Sequence, residues 1–337
     1  MSADALSDVL RTVRLTGAAF FDVVCKAPWV AEQPPREAVL PVILAGAEHL
    51  ISYHVVTEGR CFATLVGNEK AEPIPVEAGE VIVFTRGDPH VMASGPGMRA
   101  DPPLPARLPE TAGSPLPFSV NYGIDGPVSA RLVCGFLACD AQPFISLIDN
   151  LPPVIKSGDP QNPDGGWLGQ FIRLATSESA DRRAGGEGVL ARLSELMFIE
   201  VVRRHIESLP PGQAGWLAGL RDPFVGKALS LIHADPARNW TIEEMGRDVG
   251  LSRSVLAERF VALVGVPPMH YLAQWRMQIA SGLLANGNAN IATVAAKIGY
   301  GSEAAFSRAF KKIVGRPPSA CRQRMESARP SFAPIQP

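Results

Sequence analysis

Two patterns of apolar and polar positions divide the chain. Up to about residue 150, apolar residues come in short runs rich in β-branched side chains and broken by Gly and Pro: 38–44, 49–56, 61–66, 80–85 and 131–137. Runs of this length between turn residues predict strands. Many short strands without long helices predict an antiparallel sandwich or barrel. Residues 95–126, which include PPLPARLPETAGSPLP, are too rich in Pro for a regular element and predict a long loop. Beyond Pro153 the period becomes helical. Residues 166–177 predict one helix, and 188–207 a longer one with Leu190, Leu193, Leu196, Met197 and Val201 along a stripe. That stripe fits either packing on its own domain or an antiparallel helix pair between two subunits. LPPGQAG at 209–215 breaks the period and predicts a hinge.

The last third contains a repeat. Residues 241–268, TIEEMGRDVGLSRSVLAERFVALVGVPP, align with 290–318, NIATVAAKIGYGSEAAFSRAFKKIVGRPP. Ile242 matches Ile291 and Gly250 matches Gly299 at a spacing of 49. Ser252, Phe260 and Gly265 match Ser302, Phe310 and Gly315 at a spacing of 50, so one residue is inserted near Gly301. Each copy has the same plan. A short amphipathic helix turns Met245 and Val249, or Val294 and Ile298, inward. Gly then permits a left-handed exit, and Ser caps a second helix. The second helix buries Leu256, Phe260 and Leu263, or Phe306, Phe310 and Ile313. It stops at Gly265 or Gly315, followed by Pro267 or Pro317. Two helices joined by a tight Gly turn form a helix-turn-helix, whose second helix fits a major groove. Between the copies, Tyr271, Leu272, Trp275, Ile279 and Leu283 predict one connecting helix over 269–285. It would hold the two reading helices about one turn of DNA, ~34 Å, apart.

Charge follows the same division. Residues 224–327 carry 13 Lys and Arg against 7 Asp and Glu, and the remainder carries 19 against 26. A basic module on an acidic body suits a chain of which only one part meets a polyanion. The positions expected to face DNA are Ser252, Arg253, Ser254, Glu258 and Arg259 in the first copy. In the second they are Ser302, Glu303, Ala304, Ser307, Arg308, Lys311 and Lys312. Arg253 is the best base reader, since a guanidinium binds guanine bidentately. Lys311 and Lys312 suit phosphate anchoring.

The two copies and their connecting helix resemble the DNA-binding domain of the AraC/XylS family over about 100 residues. The resemblance implies a transcription regulator acting on double-stranded DNA, and it makes Glu303 structural within a GYxSExAFxRAFK signature. Ahead of this module, SYHVVTEG and GEVIVFTRGDPH resemble the two motifs of cupin barrels, with departures. Ser52 stands at the first His of the usual HxH pair, and Thr85 at a common Pro. The expected fold is therefore α+β and multidomain. It comprises a cupin-like β-barrel sensor (1–150), a helical linker and dimerisation region (151–215), an all-α domain with two helix-turn-helix motifs (216–327) and a disordered tail (328–337).

Cupin enzymes bind metal through three His and one Glu. Here the resemblance aligns His54, Glu58 and His90, and Cys134 is a candidate fourth ligand for zinc or another divalent metal. The alternative is that His54 and His90 are structural residues of a degenerate barrel. A metal- or redox-responsive regulator using His54, His90 and Cys134 is a second functional reading. The missing first His argues against a cupin metalloenzyme. The five cysteines are odd in number and form no CxxC pair, so a disulfide framework is not expected. No apolar run reaches the ~20 residues of a membrane span, and no signal peptide is evident, which predicts a cytoplasmic protein. The partners expected are DNA, a second copy of the chain, a small-molecule effector and, for an activator, RNA polymerase.

Overall fold

A computed structural model describes residues 4–13, 15–43, 49–67, 72–100, 118–139, 147–159, 161, 166–181, 183–210, 215–285 and 290–320. They form two compact units. One is Arg14–Ala141 with Leu151–Ser208; the other is Met1–Val13, Gln142–Asn150 and Leu209–Pro337.

The first unit is built on a nine-stranded sheet. Its strands are β1 (Thr16–Lys26), β2 (Val30–Gln33), β3 (His49–Leu65), β4 (Ile74–Glu77), β5 (Glu80–Phe84), β6 (His90–Ala93), β7 (Phe118–Tyr122), β8 (Val128–Cys139) and β9 (Val154–Gly158). The strand order is β2-β6-β3-β8-β1-β7, with β4 and β5 also on β3, and β9 on β5. The runs at 49–56 and 61–66 are one strand rather than two. β3 pairs with β8 and β5 through its first half and with β4 and β6 through its second. Its ladder with β8 is irregular between Val56 and Glu58, and Gly59 follows at φ 73°. A Cβ there would overlap the carbonyl of Ser129, so the strand can pass β8 this closely only with Gly.

The core of this unit joins Cys25, Val56, Cys61, Val76, Ile82, Phe84 and Leu132 from five strands. Helix α2 (Arg36–Ile43) occupies the run expected as a strand at 38–44. Pro35 opens it, with the Ala38 amide donating to the Pro35 carbonyl, and Glu37 favours the positive end of the helix dipole. The Pro-rich stretch also holds an element: β7 pairs in parallel with β1. Residues 101–117 lie outside the described residues. β9 lies where helical periodicity was expected to begin; it pairs antiparallel with β5.

Helices α4 (Gly166–Asp181) and α5 (Gly186–Ser208) complete this unit. The buried face of α5 is Leu190, Ser194, Met197, Phe198, Val201, Val202 and Ile206. Leu196, on the stripe that fitted either own-domain packing or a helix pair between subunits, is 52% exposed. Ser194 and Phe198 are inward positions outside the expected stripe. Tyr53 of β3 donates to the Ser194 hydroxyl at 2.6 Å, and Ser194 donates to the Leu190 carbonyl at 2.9 Å.

The second unit is helical. Its elements are α1 (Ala5–Val13), α3 (Leu147–Asn150), α6 (Trp216–Arg221), α7 (Val225–Ala234), α8 (Ile242–Val249), α9 (Arg253–Val264), α10 (Pro268–Ala285), α11 (Ile291–Lys297) and α12 (Glu303–Val314). Both copies of the repeat have the expected helices; Leu256, Phe260, Phe306 and Phe310 are buried as expected, whereas Leu263 and Ile313 are only half-buried. Helix α1 also belongs here and packs against α7 and α10. The tail at 328–337 lies outside the described residues.

Candidate nucleic-acid interface and barrel cavity

The local chemistry of each repeat sets its second helix. Thr241 and Glu244 form a reciprocal capping box at the start of α8. Gly250 leaves α8 in the left-handed region at φ 88°, and Ser252 caps α9 by accepting from the Val255 amide. In the second copy Asn290 caps α11, Gly299 takes the left-handed exit at φ 83°, and Ser302 caps α12. The turn bonds also match: the Leu251 amide donates to Gly246, and the Tyr300 amide to Ala295. Gly246 is needed for closeness, because a Cβ there would lie 2.8 Å from the Leu251 carbonyl oxygen. Phe260 and Leu256 of α9, and Phe306 and Phe310 of α12, are buried.

Ser252, Arg253, Ser254, Glu258 and Arg259 are exposed on α9 and its cap. So are Ser302, Glu303, Ala304, Arg308, Lys311 and Lys312 on α12 and its cap, while Ser307 is half-buried. Two of the arginines are already engaged. Arg253 donates to Glu243 of α8 at 2.7 Å, both side chains remaining largely exposed. Arg259 holds Asp222 through Nε at 2.9 Å and through its terminal nitrogen. Asp222 in turn accepts from the amides of Phe224 and Val225 at the start of α7. Partial burial works against the Asp222 carboxylate, but the bonds from Arg259 and the two amides hold it below its ordinary pKa. Arg259 is thus a strut between α9 and the start of α7.

Three of the four candidate metal ligands meet inside the first unit. His90 donates from Nδ1 to the Asp88 carbonyl at 2.9 Å, which leaves Nε2 as an acceptor. His54 lies against it, Nε2 to Nε2, at 2.8 Å and must donate. His54 Nδ1 then accepts from the Cys134 thiol at 3.0 Å. One assignment of protons satisfies all three groups with each of them neutral. Burial drives the same neutrality: it pushes His54 well down, an effect His90 reinforces, takes His90 down to about 4 and raises Cys134 well above a normal thiol. Phe84 stacks on His90 with centroids 3.6 Å apart.

This chain of bonds does not fit a metal. Cys134 and His90 sit on opposite nitrogens of His54, so the three donors do not converge on one point. Glu58 is 67% exposed and paired with Arg131 across the ladder at 3.1 Å. Ser52, at the position of the missing His, accepts from the Gln33 amide at 2.7 Å. Among the described residues no group of three or more His, Cys, Asp or Glu is placed to hold an ion. The described thiols Cys25, Cys61 and Cys134 do not suit redox sensing either. Cys25 and Cys61 are buried and held at about 12, chiefly by desolvation, so the reactive thiolate is suppressed.

Beside this chain lies a cavity of about 570 Å³. Phe21, Trp29, Met92, Tyr122, Leu132 and Phe136 form much of its wall, and His54, His90 and Cys134 line one part of it.

The cupin family matches residues 4–207, and a helix-turn-helix domain family matches 245–324. An AraC-like transcription regulator of Streptomyces lividans is 31% identical over 329 residues, covering 95% of this chain and 98% of its own. The chain belongs to the AraC family of transcription regulators. A second AraC-like regulator, from Streptomyces antibioticus, is 31% identical over 327 residues, with 95% and 98% covered. The regulator AlkR of Acinetobacter baylyi is 35% identical over 178 residues, 52% of this chain and 58% of its own. A cupin-type sheet domain and two helix-turn-helix motifs are thus the architecture of this AraC-family protein, as the sequence patterns predicted. No described helix is long and apolar enough to cross a membrane.

Sequence reasoning missed three features of the AraC-family chain. One is the Arg259–Asp222 strut, whose partners are 37 residues apart. Another is Arg276 of α10, which donates to the carbonyls of Pro236 and Arg238 and fixes the loop before α8. The third is Gln33, which closes the barrel position left by Ser52. Each pairs residues far apart in sequence, and no local motif marks them.

Proposed function

We propose that this AraC-family regulator reads a specific DNA site with α9 and α12 and is governed by a small molecule held in the barrel cavity. The observation carrying the DNA assignment is the pair of matched, Ser-capped second helices with exposed polar and basic residues at their front. Arg253 is the base reader of the first unit. Arg308 reaches base or phosphate, and Lys311 and Lys312 hold phosphates. Glu303 begins α12 in its first turn, where a carboxylate favours the helix dipole, in line with a structural role. The first unit then carries more sequence specificity than the second. The protein works by binding rather than catalysis: the neutral His54–His90–Cys134 chain offers no open metal position, and the named relatives are regulators.

A homodimer is the proposed assembly. Leu174 of α4, and Val189 and Leu196 of α5, are large apolar side chains 57%, 45% and 52% exposed. They give an antiparallel helix pair an apolar contact to bury.

Mobility shifts on the protein's own promoter site test the DNA assignment. Arg253→Ala should weaken binding by about 1–3 kcal/mol and relax preference at one base position. Arg308→Ala should weaken binding with less change in preference. Equal loss of specificity from both substitutions would overturn the unequal roles.

A further inference from the structure

We propose that the barrel cavity takes an uncharged, largely apolar molecule with a ring system, and that a charged effector is excluded. The inference rests on the cavity serving as the effector site and adds the chemical class of the effector.

The cavity volume, about 570 Å³, suits a small organic molecule rather than a single ion or a peptide. Four aromatic side chains, Phe21, Trp29, Tyr122 and Phe136, come from β1, the turn before β2, β7 and β8 and line the space. Trp29 and Tyr122 lie 6.2 Å apart by ring centroids, and Phe21 meets Phe136 edge-on at 5.8 Å. Flat apolar rings pack well against such walls.

Apart from Glu32, the polar groups of the described lining carry no charge. His54 and His90 are neutral and bonded to each other, and each spends its second nitrogen on Cys134 or Asp88. Cys25, Cys134 and the Tyr122 hydroxyl are all protonated. Among the described residues, the one ionised group lining the cavity is Glu32, which is already neutralised. Arg99 grips both its oxygens at 2.8 and 3.2 Å, and the Ala100 amide adds a third bond at 2.9 Å. Among the described residues no Lys or Arg lines the cavity to meet a carboxylate, sulfonate or phosphate. An ion entering this space would lose its water and gain no counter-charge, which disfavours it strongly. Asn121 and Gln33 are the uncharged amides on the lining that suit a hydroxyl or carbonyl of the ligand.

N-phenyl-1-naphthylamine tests this directly, because the same ring system exists with a sulfonate (1-anilinonaphthalene-8-sulfonate). Fluorescence titration of the full chain should give one site for the neutral compound, with the sulfonate at least tenfold weaker. Ala31→Phe on β2 and Val120→Trp on β7 put bulk into the cavity from two different strands. Each should abolish the site, with melting curves checking that the variant folds; if one fails to fold, the other decides. Equal binding of neutral and sulfonated probes, no binding of the neutral probe, or unchanged binding in the folded variant would overturn the proposal. Mobility shifts on the same samples separate the two readings. Intact DNA binding without probe binding rejects the ligand class while leaving the DNA assignment standing. Loss of DNA binding in the wild-type chain rejects the latter.

Discussion

His90 is 1% exposed, neutral, and held down at about 4, mainly by burial. In the unfolded chain an ordinary His takes up a proton near 6.5. Between those values the unfolded state binds more protons, so the folded state loses stability as pH falls. The contribution is fully present above about 6.5 and gone below about 4. Its size is about 3 kcal/mol, and His54 acts in the same direction. We expect urea midpoints to drop steeply from pH 7 to pH 4.5. His90→Gln should start lower at pH 7 but give a flatter profile; an unchanged slope would refute the assignment. His233 in the other unit is also lowered, to about 3. The difference between wild type and variant isolates His90 from it. A second residue-scale expectation concerns Glu243, whose carboxylate holds Arg253 at 2.7 Å. Removing that charge frees the guanidinium and reduces repulsion of phosphate. Glu243→Gln should therefore tighten DNA binding by about three- to tenfold in a mobility shift.

At the scale of elements, two of the repeat's left-handed glycines, Gly265 and Gly299, are not equivalent. Gly265 at φ 83° ends α9 in open space, so Gly265→Ala meets only the backbone penalty, about 1–2 kcal/mol. Gly299 has the same φ of 83°, but a Cβ there would overlap the backbone of Ala237. Arg276 donates to the carbonyls of Pro236 and Arg238 on that loop, so it cannot easily give way. Thermal melts should rank Gly299→Ala clearly below Gly265→Ala, and equal losses would contradict the contact. The Ala237 contact was invisible in sequence, although the repeat itself was fully legible. A 3.6 period, Ser caps and Gly exits at a spacing of 49 or 50 are local signals, and local signals survive in a linear reading. The barrel was legible only in part. Residues 38–44 have apolar side chains suited to a strand, yet the preceding Pro pair and Glu37 start a helix. β1, the longest strand after β3 and β8, went unrecognised because its apolar residues run together instead of alternating. The cavity was not legible at all, since its walls come from strands more than a hundred residues apart. The motif histidines were found, but the Cys134–His54–His90 bonding that consumes their donors appears only in three dimensions.

At the scale of the whole molecule, chain order and structural grouping differ at the N-terminus. Helix α1 lies at the start of the chain but belongs to the DNA-binding unit, where Ala5 and Val9 are 2% and 1% exposed. It covers α7 and α10 near His233. The Tyr271 hydroxyl accepts from Trp216 at 3.0 Å and donates to His233 Nε2 at 2.9 Å, which puts the remaining His233 proton on Nδ1. Among the described residues that nitrogen has no hydrogen-bond partner, and it sees Asp8 of α1 at 3.7 Å. A fragment of residues 216–327 lacks α1, so water reaches His233 and the apolar faces beneath. Two outcomes should separate in that fragment. Its melting temperature should fall below that of the corresponding transition in the full chain, because apolar area is returned to water. Its DNA binding should persist, with a salt dependence that weakens by about one unit of slope for each of Lys311→Ala and Lys312→Ala. Binding by the fragment should also ignore N-phenyl-1-naphthylamine, since the cavity is absent. A fragment that binds DNA but still responds to the probe would move the ligand site out of the barrel. One that melts as high as the full chain would deny α1 its place in the DNA-binding unit.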